Sequence, residues 1–288
     1  MRLWLFCFLL SGTTQLAVAV SVTDDRGAQV EFATPAVRII SLAPNLTELA
    51  YAAGIGSRLV AVSAYSDFPP EAKQLPQVGD AFRLDWEQLV ALKPDLVLAW
   101  GSSLSARDRA TFEKLQLKFL VLEPRRLDDI PKAIRLLGKI AATDAIAEAA
   151  ARAFEQQRAE LEKKYKGRAA VRVYFQIAAA PLLTINGQHI ISDVLRLCGA
   201  QNVFGDAPVL VPTISDESLV KAQPQLLLGI AATRAEEEDT TRSWRRLPLA
   251  AVRHGYMGFV PPDIISRSTP RILLGAANIC RQVAGLRP

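Results

Sequence analysis

The chain contains two copies of one twelve-residue pattern, and this internal repeat limits the possible folds more than any other feature of the sequence. Residues 87–98, EQLVALKPDLVL, align without gaps to residues 217–228, ESLVKAQPQLLL, with six identical positions in twelve. Each copy predicts a short helix, a proline that ends it, and a buried apolar strand. Two copies that lie 130 residues apart indicate two lobes of the same construction.

A second and weaker repeat supports this interpretation. Residues 48–55, ELAYAAGI, align with residues 193–200, DVLRLCGA, and each copy reaches a glycine, Gly54 or Gly199, where the helical pattern stops. Helices commonly end in a left-handed residue, a conformation that glycine adopts without steric cost. The two lobes are therefore predicted to be pseudo-symmetric copies.

Strand-like apolar runs alternate with helical patterns through both halves of the chain. The predicted strands are residues 37–42, 59–63, 96–100, 119–122, 171–177, 226–230 and 257–260. The predicted helices are residues 46–53, 86–92, 105–115, 190–198, 217–222, 241–252 and 270–283. Continuous apolar strands between helices are typical of parallel sheets covered on both faces. The fold class is therefore α/β, with a central parallel sheet in each lobe.

A long helical pattern without proline or glycine separates the two halves. In residues 144–166 the apolar side chains recur three or four positions apart, which predicts a helix about 35 Å long. Either this helix joins the lobes and restricts them to small relative motions, or it belongs to the first lobe alone. The predicted division is a leader at 1–19, a first lobe at 20–143, a connecting helix at 144–167 and a second lobe at 168–288.

The N-terminus has the pattern of a secretory signal peptide. Arg2 precedes an apolar run at 3–10, and Ala17-Val18-Ala19 places small residues at the positions that a signal peptidase reads. Cleavage is predicted after Ala19. No later stretch is long and charge-free enough to span a membrane, so we expect a soluble, exported protein.

Two cysteines remain once the leader is removed, Cys198 and Cys280. In an oxidising compartment two cysteines most simply form a disulfide, which here would close a loop of about 80 residues. The alternative is two separate buried thiols.

The chain offers little for catalysis or for nucleic-acid binding. Its net charge is +5, but basic and acidic residues are interleaved along the sequence. The two histidines, His189 and His254, lie in no spacing typical of a metal site or a nucleophile–base pair. We therefore expect no catalytic residues, no metal, no enzymatic cofactor and no nucleic-acid partner.

Candidate binding residues follow the predicted strands at their carboxyl ends, where ligands gather in parallel α/β lobes. Tyr65 follows the second strand in the loop YSDFPP, Trp100 ends the third, and Asp263 and Arg267 follow the last strand of the second lobe. Trp100 could instead be a core residue, and the charged pair a surface salt bridge. Together, aromatics from one lobe and a polar pair from the other predict a cleft for a large, partly flat ligand with amide or hydroxyl edges.

Glu87 and Glu217 occupy the same position in the two copies of the longer repeat. A glutamate in the first turn of a helix is favoured by the helix dipole and needs no partner. Matched acids on two lobes are equally suited to dock onto a two-fold partner with basic pockets. The repeat alone leaves both interpretations open.

Several longer segments resemble a known family. They are SLAPNLTELAYAAGIGSRLVAVSAYSDFPPEA, LDWEQLVALKPDLVLAW, RVYFQ, LRLCGAQNVFGD, ISDESLV and DIISRSTPRILLGAANIC. From about Val37 to Cys280 the chain is similar to the periplasmic cobalamin-binding proteins of corrinoid ABC importers. Siderophore and haem receptors of the same fold share PNLTELAYAAG and LKPDLVLA, whereas the YSDFPP loop, Trp100 and the D-x-x-x-R spacing are more discriminating. The resemblance implies a class III periplasmic binding protein, with two Rossmann-like lobes joined by one backbone helix.

The resemblance also implies roles for individual residues. Tyr65 and Trp100 would contact the corrin from the first lobe, while Asp263 and Arg267 would hydrogen-bond its amide fringe from the second. The remaining implied ligand-lining residues are Asn45, Ile177, Leu183, Val211, Ile264, Ile265 and Ser266. At several of these positions the family has aromatic residues, so this chain is expected to bind cobalamin more weakly or to bind another corrinoid such as cobinamide.

The resemblance further implies two sets of structural and docking contacts. Glu87 and Glu217 would meet arginines on the two copies of a dimeric membrane permease. Cys198 and Cys280 match the disulfide partners of the family.

The leading hypothesis is a monomeric periplasmic receptor that captures a corrinoid and delivers it to an ABC permease without bond chemistry. A haem or ferric-siderophore receptor on the same fold is the runner-up, and in it Tyr65 would be a candidate iron ligand. An exported enzyme and a binding module without a transport partner are the alternatives from other classes.

Overall fold

The computed structural model describes residues 20–165, 167 and 169–286, and these residues form two α/β lobes. The predicted leader, residues 1–19, lies outside the described part of the chain. The described chain begins with an antiparallel hairpin of β1 (Val20–Thr23) and β2 (Gln29–Phe32), which the sequence analysis did not predict. The turn of this hairpin is attached to the first lobe, because the Asp25 N–H donates to the Val121 carbonyl at 3.0 Å.

A four-stranded parallel sheet is the centre of the first lobe. Its strands are β3 (Ile39–Ser41), β4 (Leu59–Val62), β5 (Leu96–Trp100) and β6 (Phe119–Leu122), in the spatial order β4-β3-β5-β6. Its helices are α1 (Pro44–Ala52), α2 (Trp86–Ala91), α3 (Ala106–Lys114) and α4 (Asp129–Ile140). The strands are almost entirely buried, as strands covered by helices on both faces must be.

Helix α5 (Asp144–Tyr165) joins the two lobes, as predicted. One face of this helix carries buried residues, among them Ala147, Ala151 and Phe154. It is also tied to α4 by Arg135, whose guanidinium donates to Glu148 and Glu155. These contacts pack one face of α5 against the core and leave the other face exposed. The residue boundaries proposed for the lobes stay a prediction.

The second lobe repeats the scheme of the first. Its elements are β7 (Val171–Gln176), a short hairpin of β8 (Ala178–Ala179) and β9 (Leu182–Leu183), β10 (Ala200–Asn202), β11 (Leu226–Ile230) and β12 (Met257–Val260). Its helices are α6 (Ile190–Leu197), α7 (Asp216–Ala222), α8 (Arg234–Trp244), α9 (Ala250–Arg253) and α10 (Ile272–Gly285). The parallel sheet has the order β10-β7-β11-β12. In both lobes the order along the sheet is second, first, third and fourth strand, which confirms the predicted pseudo-symmetry.

The longer repeat makes the same contacts in each lobe. In the first, the Asp95 carboxylate accepts from the backbone N–H of Arg38 at 3.1 Å; in the second, the Gln225 amide oxygen accepts from the backbone N–H of Arg172 at 2.8 Å. Each of these arginines also donates at 2.6 Å to a backbone carbonyl at the end of the repeat helix, α2 or α7. The repeated sequence therefore encodes one interlocked unit of helix, proline and strand.

The structure differs from the prediction in two helical regions. The single helix expected at 241–252 is two helices, α8 and α9, and the residues between them include Pro248, which lacks the N–H that a helix interior requires. Helix α4 was not predicted, because Pro131 interrupts its apolar pattern; in the structure this proline lies in the first turn, where it is tolerated.

One continuous apolar core runs through both lobes. It includes Leu46 and Leu98 of the first lobe, Phe154 of α5, and Val173 and Leu228 of the second lobe. Smaller clusters cover the outer faces of the sheets, one of them around Phe112 and the other around Trp244. The lobes share their main core, so any large movement between them would expose apolar surface.

In the part of the chain that the structure describes, no helix is both long enough and apolar enough to cross a membrane.

Cys198 and Cys280 form a disulfide, which confirms the predicted pairing. Cys198 follows the last turn of α6, Cys280 lies in α10, and both are fully buried. The bridge ties two helices of the second lobe across 82 residues of sequence.

Removal of this bridge is expected to lower the free energy of unfolding. Closing a loop of this length stabilises a protein by about 4–5 kcal/mol in the chain-entropy model. We predict that the double variant Cys198→Ala/Cys280→Ala unfolds at a clearly lower urea concentration than the oxidised wild type. The reduced wild type should match the variant, and the variant itself should not respond to reductant. An unchanged unfolding midpoint would contradict the prediction.

Candidate ligand-binding site

Tyr65 lies just beyond the carboxyl end of β4, with its side chain in solvent. The residue is 79% exposed, and its φ of 64° places the backbone in the left-handed region that few residues other than glycine adopt. The preceding residue anchors the loop, because the Ala64 N–H donates to the Gly79 carbonyl at 2.7 Å. A strained and anchored residue that exposes a large aromatic ring is typical of a binding loop.

A cluster of buried hydroxyl groups holds this loop from below. The Thr47 hydroxyl lies 2.9 Å from the hydroxyl of Ser41 and 3.1 Å from that of Ser66, which in turn lies 3.3 Å from that of Ser63. All four side chains are buried. The cluster joins α1 and the ends of two strands to the residue that follows Tyr65, so the loop is held rigidly.

Trp100 and Phe82 line one cavity beside this loop. Trp100 ends β5 and packs partly against the main core. Phe82 is 98% exposed, and it lies in a tight turn in which the Asp80 carboxylate accepts from the N–H groups of Phe82 and Arg83 at 2.8 and 2.9 Å. The sequence analysis missed Phe82; an aromatic two residues after the turn-forming pair Gly79-Asp80 is the signal that could have identified it.

The aliphatic candidates of the second lobe lie together at the carboxyl end of β7. The Ile177 N–H donates to the Leu183 carbonyl at 2.9 Å, and Leu183 forms an isolated bridge with Thr213. Val211 lies in the segment that pairs with this region and is exposed. The backbone pairing thus brings these three aliphatic residues into one region of the second lobe.

The candidates that follow β12 occupy different environments. Asp263 and Ile264 lie half-buried in a short 3₁₀ helix, and Ser266 is exposed. Ile265 is fully buried in the main core, so its side chain is not available at the surface. In the first lobe, Asn45 is half-buried in the first turn of α1.

Arg267 brings the second lobe into contact with the Tyr65 loop. Its Nη1 donates to Glu48 at 2.9 Å and to Asp67 at 2.7 Å, and its Nη2 donates to the Tyr65 carbonyl at 3.3 Å. Asp263 instead accepts from Arg271, so the two predicted residues do not pair with each other. Arg267 therefore links the second lobe to the Tyr65 loop, while Asp263 is paired within the second lobe.

Arg267 and Asp67 both carry a charge at neutral pH. Burial acts to lower the pKa of Arg267, but hydrogen bonds to Asp67 and Glu48 outweigh it and raise the pKa above its usual range. Burial acts to raise the pKa of Asp67, but the hydrogen bond and positive charge of Arg267, a backbone N–H and the charge of Lys73 together outweigh it and lower that pKa. Arg267 and Asp67 therefore form an ion pair between the two lobes.

Glu87 and Glu217 are both exposed in the first turns of α2 and α7. Each helix is capped by the side chain that lies two residues before the glutamate. Asp85 accepts from the Gln88 N–H at 3.0 Å, and Ser215 accepts from the Ser218 N–H at 3.2 Å. A hydrogen bond from the Ser215 hydroxyl lowers the pKa of Glu217. Both acids are thus exposed at corresponding positions of the two lobes.

His189 has a structural role at the start of α6. Its Nδ1 accepts from the Ile191 N–H at 3.2 Å and so caps α6, and burial lowers its pKa to about 4. The imidazole is neutral at pH 7. Among residues 20–165, 167 and 169–286, no group of three or more histidine, cysteine, aspartate or glutamate side chains could hold a metal ion.

Known proteins share this architecture. The periplasmic binding protein family matches residues 39–263. A vitamin B12-binding protein of Pectobacterium carotovorum is 39% identical over 253 residues, which cover 87% of this chain and 90% of that protein. The crystal structure of the periplasmic vitamin B12 binding protein BtuF of Vibrio cholerae has a TM-score of 0.80 at 33% identity, covering 88% of this chain and 98% of that one.

A more distant structure shares the fold alone. A possible iron-binding periplasmic solute-binding protein from Staphylococcus epidermidis has a TM-score of 0.77 at 24% identity, covering 87% of this chain and 99% of that one. The family match extends across both lobes and agrees with their paired parallel sheets. This chain belongs to the periplasmic binding protein family.

Proposed function

We propose that this protein is a periplasmic receptor that captures cobalamin or a related corrinoid between its two lobes and delivers it to an ABC transporter. The observation that carries the proposal is the contact between Arg267 of the second lobe and the Tyr65 loop of the first, at the carboxyl ends of both sheets. The extensive identity to a vitamin B12-binding protein supports a corrinoid as the ligand class.

The proposed site has two kinds of contact. Tyr65, Trp100 and Phe82 provide aromatic faces for a large flat macrocycle, and Arg267 and Asp263 provide charged groups for its amide edges. The residues that complete the proposed lining are Asn45, Ile177, Leu183, Val211, Ile264 and Ser266. Aliphatic side chains in the second lobe lack the stacking of aromatic pairs, which contributes about 0.5–1.5 kcal/mol each beyond area. We therefore expect a weaker corrinoid complex than an all-aromatic site would form.

The proposed receptor acts outside the cytoplasm and performs no bond chemistry. Residues 1–19 direct export and are cleaved after Ala19, and the monomeric mature protein then binds its ligand. Glu87 and Glu217 dock the loaded lobes onto arginines of a dimeric permease, since exposed opposite charges steer association and set its register.

The first prediction concerns the ligand class. Protein without residues 1–19 should bind cobalamin or cobinamide with one-to-one stoichiometry in isothermal titration calorimetry. Haem and ferric siderophores, titrated in the same way, serve as the comparison. If neither corrinoid gave heat while haem bound and produced a tyrosinate charge-transfer band, the runner-up function with Tyr65 as iron ligand would replace this one.

Replacement of Tyr65 with alanine should weaken corrinoid binding about tenfold, because the ring is exposed in the free protein and would lose its apolar contact with the ligand. The melting temperature should not change, since the ring supports no core contact. Tyr256→Ala is a matched control, because this exposed tyrosine precedes β12, at the opposite end of the strand from the site. Equal affinities for wild type and Tyr65→Ala would remove the loop from the proposed site.

Charge reversal should separate binding from delivery. We predict that Glu87→Lys/Glu217→Lys binds cobalamin with unchanged affinity but no longer supports cobalamin-dependent growth of a strain that lacks its own receptor. The matched control, Glu113→Lys/Glu160→Lys, makes the same change in net charge at exposed helical positions outside the repeat. Normal growth with the first variant would refute the docking proposal and leave the binding proposal intact.

A further inference from the structure

Two buried carboxylates occupy equivalent positions in the weaker repeat. Glu48 lies in α1 and Asp193 in α6, the helices that follow the first sheet strand of each lobe. Their side chains are only 2% and 8% exposed. Neither residue belongs to the proposed ligand lining or to the proposed docking pair, so their burial requires another explanation.

Glu48 makes its side-chain contacts across the boundary between the lobes. One carboxylate oxygen accepts from Arg267 at 2.9 Å and from Arg271 at 3.1 Å, and the other accepts from the Thr269 hydroxyl at 2.7 Å. All three donors lie in the segment that connects β12 to α10. A carboxylate of the first lobe therefore holds the segment that follows the fourth strand of the second.

Asp193 makes the reciprocal contact. One of its oxygens forms a salt bridge with the Arg126 Nε at 2.9 Å and accepts from the Leu127 N–H at 3.2 Å, and the other accepts from Arg196 of its own helix. Arg126 and Leu127 lie between β6 and α4, the corresponding place in the first lobe. The internal repeat has thus placed two latches between the lobes, each made by an acid on one lobe and the segment after the fourth strand of the other.

The two latches differ in one respect that bears on the ligand. The Glu48 latch holds Arg267, which we assign to the ligand site, whereas the Asp193 latch holds no residue of that site. A guanidinium has five N–H donors. Three N–H donors of Arg267 form hydrogen bonds to Glu48, Asp67 and the Tyr65 carbonyl. The Nε–H and one Nη2–H make no hydrogen bond among the described residues.

We propose that Glu48 is a positioning residue that fixes the plane of the Arg267 guanidinium, so that its two unused N–H groups face the acceptor oxygens of the ligand. This inference rests on the proposed function, in which those acceptors are the amide carbonyls at the edge of a corrinoid. An arginine held before the ligand arrives loses less conformational entropy on binding, and its planar fork selects ligands with acceptors at the matching spacing. Asp193 then serves the orientation of the lobes alone.

A double-mutant cycle tests this division of roles. Glu48→Gln should weaken cobalamin binding about tenfold, and it should cause no further loss in the Arg267→Ala background, because it acts through Arg267. Asp193→Asn is the matched control: it should lower the melting temperature to a similar extent but change the Kd by less than about twofold. The proposal is overturned if Glu48→Gln weakens binding equally in both backgrounds, if Asp193→Asn weakens binding as much as Glu48→Gln, or if Glu48→Gln has no effect.

A measurement without ligand keeps this test separate from the proposed function. The Nε–Hε NMR signal of Arg267, identified by its loss in Arg267→Ala, should show a high heteronuclear NOE, the sign of a rigid side chain, in the wild type and in Asp193→Asn. The NOE should fall in Glu48→Gln, and an unchanged value there would refute the positioning role. If the wild type binds no corrinoid, the ligand assignment fails while this signal still decides the role of Glu48. If Glu48→Gln does not fold, Glu48→Asp, which retains the charge but shortens the side chain, takes its place in both measurements.

Discussion

The shared apolar core between the two sheets is the interaction on which the rest of the structure depends. Side chains of both lobes and of α5 pack into one continuous cluster, so the lobes cannot separate without exposing a large apolar surface. This constraint sets the distance between the carboxyl ends of the two sheets. The Tyr65 loop and the segment after β12 consequently meet at a defined place, so that the proposed ligand site is formed before a ligand binds.

The polar groups at the lobe boundary contribute specificity more than stability. Burying a charge is costly, and an ion pair in the interior often does little more than offset that cost. Glu48 is nevertheless surrounded by two guanidinium groups and a hydroxyl, which satisfy its oxygens and exclude other arrangements of the lobes. The apolar core holds the lobes together, and the buried ionic contacts determine how they are aligned.

The sequence predicted much of the fold because its signals are local and occur twice. The helix, proline and strand of the longer repeat appear in both lobes at the expected positions, and the glycines of the weaker repeat, Gly54 and Gly199, both have positive φ. The hairpins β1–β2 and β8–β9 and the strand β10 were missed because none of these strands is a continuous apolar run of four residues, the pattern by which the parallel strands were recognised. The strands β1, β2 and β10 contain polar residues, and β8 and β9 have only two residues each.

For the candidate site, the sequence by itself determined which residues follow the strands, and hence that Tyr65, Trp100, Asp263 and Arg267 stand at one edge of their sheets. Only the tertiary structure decided their partners. Arg267 pairs with Glu48 and Asp67, which lie about 200 residues away in the sequence, and Asp263 pairs with Arg271 in its place. Local periodicity encodes the face on which a side chain lies, but a contact between lobes depends on the packing of both cores, which no short stretch of sequence contains.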